Sequence, residues 1–358
     1  MPRFPAATSL LINAINHRVF PGAAFGVLQN GERLAAESVG GFTYEADAPR
    51  VRPDTIFDLA SVSKAIATTA MAMLLWERGQ LDLDQPVGER LPEFVVAAAD
   101  VTKRKKVTAR MLLTHCSGLP AYAALYKTCR TASELLDACM KMPLESNPES
   151  HAVYSDIGFI VVGRLLEIIA GETLDSFCQR EIFGPLGMNS TMYRPPDELR
   201  GLIPPTSSAN NFRHRALQGE VHDGNCWRLG GVSGHAGVFS DVADLLRLAD
   251  CLLRGGNGLF RPDTISKFTA RQNVPAGSGW ALGWDTPTPP SSAGNFFSAH
   301  SVGHLGYTGT SLWIDFEKEL AVGLLTNRTF PESGGERASA EMKIVRSHFH
   351  DALMRELG

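Results

Sequence analysis

The sequence has no run of about 18 apolar residues, the length a helix needs to cross a bilayer, so no membrane span is expected in its 358 residues. It has no C-x-x-C pair. Cys116, Cys129, Cys139, Cys178, Cys226 and Cys251 are scattered, which argues against a redox motif or a zinc ribbon and leaves reduced structural thiols. It has no large charge of one sign. A net charge of −4 gives no footprint for nucleic acid, and the one basic run, Lys103-Arg104-Lys105-Lys106, reads as a solvated loop. Near the start, Met1-Pro2-Arg3-Phe4-Pro5 precedes a stretch broken by Asn13, Asn16 and His17, an amphipathic helix and not the apolar core of a signal peptide. The expected location is therefore cytoplasmic, or periplasmic if a leader was removed. G-x-S-x-G is also missing, since Gly231-Val232-Ser233-Gly234-His235 lacks the last glycine. His300 and His304 lie four apart without the glutamate of a metalloprotease helix, so a metalloenzyme is not expected.

What is present is ordinary for a globular chain: 44% hydrophobic and 20% charged residues. A chain this long buries roughly 75% of its unfolded surface. Ala24–Leu28, the pair Asn30-Gly31 and Arg33–Val39 form the strongest short hairpin signal. A helix is expected from Ser61 to Gly79. Others open at Ser133, run from Ile157 to Ala170 before Gly171, from Thr173 to Ile182, and from Asp241 to Leu253. A second hairpin joins Thr310–Asp315 to Leu320–Leu325 around Glu317-Lys318-Glu319, and a last amphipathic helix covers about Glu336 to Leu357. Thr286–Ser292, rich in proline, reads as a surface loop. Strands at both ends with helices between predict an α/β (α+β) fold. Its antiparallel sheet comes from both termini, flanked by helices, with an inserted mostly helical subdomain. Residues 1–358 form one domain, the α/β part about 1–60 and 235–358 and the helical part about 61–234.

Chemistry centres on Ser61-Val62-Ser63-Lys64, the one S-x-x-K in the chain. Residues three apart share a helix face, so the hydroxyl meets the amine. Serine needs a base within hydrogen-bond reach, and lysine serves only when neutral. At a pKa near 10.4 about 1 in 2,500 is neutral at pH 7, at 8 about 1 in 10; burial and a neighbouring cation are the expected means of lowering it. S-x-x-K alone also fits a surface lysine on an ordinary helix. Val153-Tyr154-Ser155-Asp156 adds a phenol that can relay a proton, or merely pack at a helix start. Gly303-His304-Leu305-Gly306-Tyr307-Thr308-Gly309 is a glycine-punctuated strand that lets a substrate approach. The amides of Tyr307 and Ser61 are candidates for an oxyanion hole.

In this order the motifs resemble those of serine β-lactamases and penicillin-binding proteins, the class C β-lactamases and family VIII carboxylesterases above all. Phe57–Lys64 resembles their nucleophile segment. Met111-Leu112-Leu113-Thr114-His115-Cys116-Ser117-Gly118-Leu119-Pro120 is similar to their LLTHTSGLP loop, with Cys116 substituted, and Tyr154–Phe159 to their helix start. Gly306–Ser311 with Leu325-Thr326-Asn327-Arg328 resembles their C-terminal hairpin. The likeness covers about residues 20–330. It implies a β-lactamase/transpeptidase-like fold and an acyl-enzyme on Ser61, with Lys64 and Tyr154 handling the proton. Asp156, His304, Gly306, Tyr307 and Asn327 would contact substrate or oxyanion. The resemblance implies no metal or organic cofactor, and a small ester, amide or β-lactam-like substrate as the partner.

Two departures bear on specificity. His304 stands where a β-lactamase carries lysine, and neutral imidazole is a weak partner for a carboxylate. Asp156 replaces asparagine and cannot donate to an acylamino carbonyl. Both favour an esterase or amidase over an efficient β-lactamase. A D-Ala- or muropeptide-directed peptidase or amidase is the alternative, suggested by Val221-His222-Asp223-Gly224-Asn225 and Gly230–Gly237, which also fit a plain loop. His235-Ala236-Gly237 matches His-x-Gly as well, but with no strand pair expected after it, His304 is preferred. A catalytically silent binding protein on the same fold is the reading of another class.

Overall fold

The computed structural model describes residues 2–96, 100–332 and 335–358. Helix α1 (Pro5–Asn16) precedes strands β1 (Gly22–Gln29) and β2 (Glu32–Gly40). Asn30 and Gly31 both have positive φ, +50° and +74°, the conformation a two-residue hairpin turn demands and one that glycine and asparagine tolerate. The short strand β3 (Phe57–Asp58) leads into the helical region, which holds α2 (Ala70–Glu77), α3 (Ala132–Lys141) and α4 (Asp156–Ala170). After β4 (Met192–Tyr193), β5 (Ser207–Asn210), β6 (Arg215–Leu217) and β7 (Val238–Ser240) comes α5 (Val242–Leu253). Strands β8 (Ser301–Leu305), β9 (Ser311–Asp315) and β10 (Leu320–Thr326) and helix α6 (Gly335–Leu357) end the chain.

The main sheet is antiparallel in the order β2-β1-β10-β9-β8, so strands from the two ends of the chain pair along its middle. Strand β1 is buried on both faces. Ala23, Phe25 and Val27 join Phe4, Leu11, Phe349 and Leu353 beneath α1 and α6. Ala24 and Leu28 face the opposite core with Leu245 and Leu246 of α5. A strand covered on both faces reads as a continuous apolar run, not as an alternation. Gly26 lets α5 approach, because a Cβ there would lie 2.9 Å from Leu246. A second, three-stranded sheet, β3-β7-β4, braces the segment that precedes Ser61.

Helix limits fall within a few residues of the expected ones, with the cap chemistry visible: Thr131, Ser155 and Asp241 accept N-terminal amides, and Gly171 closes α4 at φ +71°. Two features depart from the sequence reading. The helix after Ser61 starts with π-helical turns, Lys64–Thr69, and so does not keep one α-helical period. The basic run is not all solvated: Arg104 is fully buried at the end of the short helix Val101–Arg104. Its guanidinium pairs with Asp100 at 2.7 Å and donates to the carbonyls of Phe94 (2.9 Å), Met140 (2.8 Å) and Met142. The carbonyl-rich hole among these segments is what draws the cation in. Among the described residues no helix is long and apolar enough to cross a membrane, and all six cysteines are free.

Removing that cation leaves Asp100 and three carbonyls without their donor. Arg104→Ala should lower unfolding free energy by about 3–5 kcal/mol, read as a fall in the urea midpoint. A midpoint shift within error would show that water replaces the guanidinium at no cost.

Candidate active site

Strand β3 delivers the chain to Ser61 through a strained turn. Ala60 has φ +47°, a region that non-glycine residues occupy at a cost, so something must hold it. Asp58 does: its Oδ1 accepts the Ala60 N–H at 2.9 Å and its Oδ2 the His222 N–H at 2.7 Å. Thr308 and Thr310 donate to the carbonyls of Asp58 (2.7 Å) and Leu59 (2.8 Å), stitching the turn to the loop after β8. Burial pushes the Asp58 carboxyl up to about 6, against the pull of those two amides.

One turn on, Lys64 is wholly buried. Its Nζ lies 2.9 Å from Ser61 Oγ, 2.6 Å from Asp156 Oδ1 and 2.9 Å from the His235 carbonyl. Burial favours the neutral amine, but Asp156 and Tyr154 outweigh it and hold Lys64 above its ordinary value. The expectation of a neighbouring cation is thus corrected. The neighbour is an anion, and it favours the ammonium. Tyr154 places its ring 4.9 Å from Lys64 Nζ. Burial pushes its phenol up to about 12, while Lys64 and a hydrogen bond to Ser61 pull it back.

Tyr154 and Asp156 sit at the start of α4, fixed by the loop 111–120. Ser155 N–H donates to His115 Nδ1 at 3.0 Å, Ser155 Oγ to the Pro120 carbonyl at 2.6 Å, and Asp156 N–H to the Ala121 carbonyl at 2.8 Å. Since His115 Nδ1 accepts, its proton is on Nε2; burial, then Lys64, keep the ring well below ordinary imidazole values. Beside it, Trp280 stacks on Tyr154 at 5.8 Å.

Ser61, Tyr154, Asp156, His304, Gly306 and Tyr307 all line one cavity of 1360 Å³, together with Tyr122, Tyr126, Phe212, His222, Asp223 and Trp280. The amides of Ser61 and Tyr307 donate to no described residue. A Cβ on Gly306 would fall 2.0 Å from Thr310 Oγ1 and 2.4 Å from the Leu59 carbonyl, so only glycine lets this loop pass against the turn before Ser61. Over residues 9–346 the chain matches the family described as Beta-lactamase. It belongs to that family.

Members of the beta-lactamase family are serine hydrolases. A Salmonella gallinarum protein named "Putative D-alanyl-D-alanine carboxypeptidase" is 32% identical over 323 residues, 82% of this chain and 74% of that protein. Among solved structures, "EstCE1, a hydrolase with promiscuous acyltransferase activity" superposes with a TM-score of 0.75 at 24% identity, over 96% of this chain and 98% of that one. An octameric penicillin-binding protein homologue from Pyrococcus abyssi gives a TM-score of 0.76 at 22% identity, over 98% of this chain and 76% of that one. At such identities the structures show the beta-lactamase/transpeptidase fold alone.

His304 has its Nδ1 2.9 Å from the Leu305 carbonyl. That nitrogen carries the proton, and Nε2 is buried with no partner among the described residues. Burial, reinforced by Lys64, pushes the ring down to about 3, so it is neutral at physiological pH. Asn327 departs from its expected role. It is buried, absent from the cavity wall, and donates to the Phe42 and Pro205 carbonyls at 2.8 and 2.9 Å. Its neighbour Arg328 faces the cavity instead. Sequence reasoning missed the aromatic walls Tyr122, Tyr126 and Phe212, which lie in loops without a motif. It also missed the pairing of Asp223 with His235, 2.8 Å apart. Both residues stand in the glycine- and histidine-rich stretches already singled out, so their composition was the available signal. Among the described residues no group of three or more metal-ligating side chains comes together.

Gly306→Ala should lower kcat for an activated ester at least about 100-fold, the scale of losing one oxyanion donor, while the thermal melt stays cooperative. A kcat within a few-fold of wild type would mean that the loop yields without moving Tyr307.

Proposed function

We propose that the protein is an acyl hydrolase of esters or amides, with Ser61 as nucleophile and Lys64 as the group that takes its proton. One observation carries the reading: the contacts of Lys64 Nζ with Ser61, Asp156 and the His235 carbonyl. The Asp156 carboxylate and the His235 carbonyl only accept hydrogen bonds, so two N–H groups are committed to them. The third direction faces Ser61 Oγ. An ammonium fills it with a proton; a neutral amine fills it with its lone pair, aimed at the hydroxyl. Proton exchange with Ser61 therefore needs no rearrangement of the other two contacts, and Tyr154, which also hydrogen-bonds Lys64, is placed to share it.

In the proposed reaction, neutral Lys64 accepts the Ser61 proton as Oγ bonds to the carbonyl carbon. The electron pair moves to the carbonyl oxygen, which faces the amides of Ser61 and Tyr307. Collapse expels the leaving group, protonated from Lys64 directly or through Tyr154. Water then attacks the acyl-enzyme by the same proton path, releasing the acid and restoring Ser61. Esters and amides are preferred over β-lactams because neutral His304 offers no positive charge to a substrate carboxylate, and Asp156 accepts but does not donate. The cavity volume suits a bulky acyl or leaving group. A peptidase acting on D-Ala-terminated peptides is the second reading, favoured by the name of the 32%-identical relative.

A fluorophosphonate should add to the peptide containing Ser61; a mass adduct on Ser233, or none with folded enzyme, would sink the assignment. A chromogenic ester, a chromogenic cephalosporin and an N-acyl peptide ending in D-Ala-D-Ala, assayed together, rank the substrates, and turnover of the cephalosporin ahead of the ester refutes the proposed preference.

The proton logic gives a separate pH test. Activity rises with pH as Lys64 loses its proton, and Asp156 is what holds that pKa up. Asp156→Asn should therefore move the acidic limb of kcat/KM to lower pH, by about 1–3 units for loss of one close opposite charge. An unmoved limb would assign it to another group.

A further inference from the structure

The acceptor behind Lys64 is held by a construction of its own. The His235 carbonyl, 2.9 Å from Lys64 Nζ, belongs to a residue whose ring is tied at both nitrogens. Nε2 lies 2.8 Å from Asp223 Oδ1 and Nδ1 lies 2.8 Å from Ser233 Oγ. Asp223 Oδ1 also accepts the Cys226 N–H at 2.7 Å, capping the short helix Gly224–Arg228. One residue earlier, the His222 N–H reaches Asp58 Oδ2, and the other oxygen of Asp58 holds the Ala60 N–H. The dipeptide His222-Asp223 thus grips the turn before Ser61 with its backbone and the acceptor behind Lys64 with its carboxylate.

We propose that Asp223 and His235 are positioning residues for the Ser61–Lys64 pair, acting through the His235 carbonyl. The proposal rests on the reading of Ser61 and Lys64 as the reacting pair. Asp223, His235 and Ser233 form a Ser-His-Asp row, but Ser233 is buried and absent from the cavity wall, so the row carries orientation and not a second nucleophile. Its effect is directional. With the His235 peptide fixed, one N–H of Lys64 is spent on its carbonyl and another on Asp156, and the remaining direction points at Ser61. With that peptide free to turn, a buried N–H loses its acceptor. The amine then reorients to recover one, and its third direction leaves the hydroxyl. The expected signature is slower chemistry with unchanged substrate binding.

The test uses His235→Phe, His235→Gln, Asp223→Asn and the double variant His235→Phe/Asp223→Asn, assayed with a chromogenic ester and with a fluorophosphonate. His235→Phe should lower kcat by about 10- to 100-fold, the scale of loss when a group that orients a metal ligand is removed, with KM little changed. His235→Gln should recover most of that loss, because its amide N–H can reach Asp223. The double variant should be no slower than His235→Phe alone, since both changes act through one carbonyl. A kcat for His235→Phe within a few-fold of wild type, or losses that multiply in the double variant, would overturn the proposal. Where His235→Phe does not fold, Asp223→Asn decides: slower capture at Ser61 with unchanged KM supports it, and capture at the wild-type rate overturns it. Failure of the wild-type enzyme to capture the probe at Ser61 would instead undo the underlying reading of the site.

Discussion

A lysine amine taken completely out of water must be given acceptors, because an unpaired buried charge costs more than most folds can supply. Lys64 finds them on three separate segments: Ser61 on its own turn, Asp156 at the head of α4, and the His235 carbonyl before β7. The rest of the architecture answers to that requirement. Ser63 Oγ accepts the Val238 N–H and Thr68 Oγ1 donates to the Gly234 carbonyl, so the helix carrying Lys64 is stitched to residues 234–238 along its length. Gly163 and Gly234 let α4 and that segment meet, since a Cβ on Gly234 would lie 2.1 Å from the Phe159 carbonyl. Small residues, Ala65, Ala67, Ala70 and Ala72, bury the helix on all sides. Its π-helical turns at Lys64–Thr69 fall where such irregularities commonly mark a functional site.

Local chemistry was the legible part of the sequence. Asn30-Gly31 specified a hairpin because few residue pairs tolerate two positive φ values in succession. Ser155 and Gly171 bounded α4 because each satisfies orphan backbone groups at a helix end. The order of the motifs around Ser61, Tyr154 and Gly306 was legible through resemblance, and the structure brings those residues to one cavity. What was not legible depends on contacts remote in the chain. Locally Arg104 has only Asp100 four residues before it; the carbonyls of Phe94, Met140 and Met142 that capture it come from elsewhere. Asn327 and Arg328 are neighbours in a hairpin motif, and only the fold decides which of them faces the cavity.

Position 156 shows the same limit in a sharper form. Read as a letter in a motif, Asp156 is a substitution that removes a donor to substrate. In the folded protein it is the counter-ion of Lys64, 2.6 Å from its amine. An asparagine there would leave the amine with neutral acceptors and a lower affinity for its third proton. The aspartate keeps the pair neutral as a whole, which eases its burial, and holds the Lys64 amine above its ordinary value.

The positive charge of Lys64 also reaches back to the element that creates its own environment. It adds to burial in disfavouring protonation of His115 and His304. For His115 this matters structurally, because Nδ1 must accept the Ser155 N–H at the head of α4. A protonated ring would set N–H against N–H there and push the helix start away. Asp156 is the residue after Ser155, so displacing that start would separate it from Lys64. The charge that adds to burial in keeping His115 neutral is thus held in place by a carboxylate that depends on His115 being neutral. Each contact is a reason for the other, and the site orders as one unit instead of residue by residue.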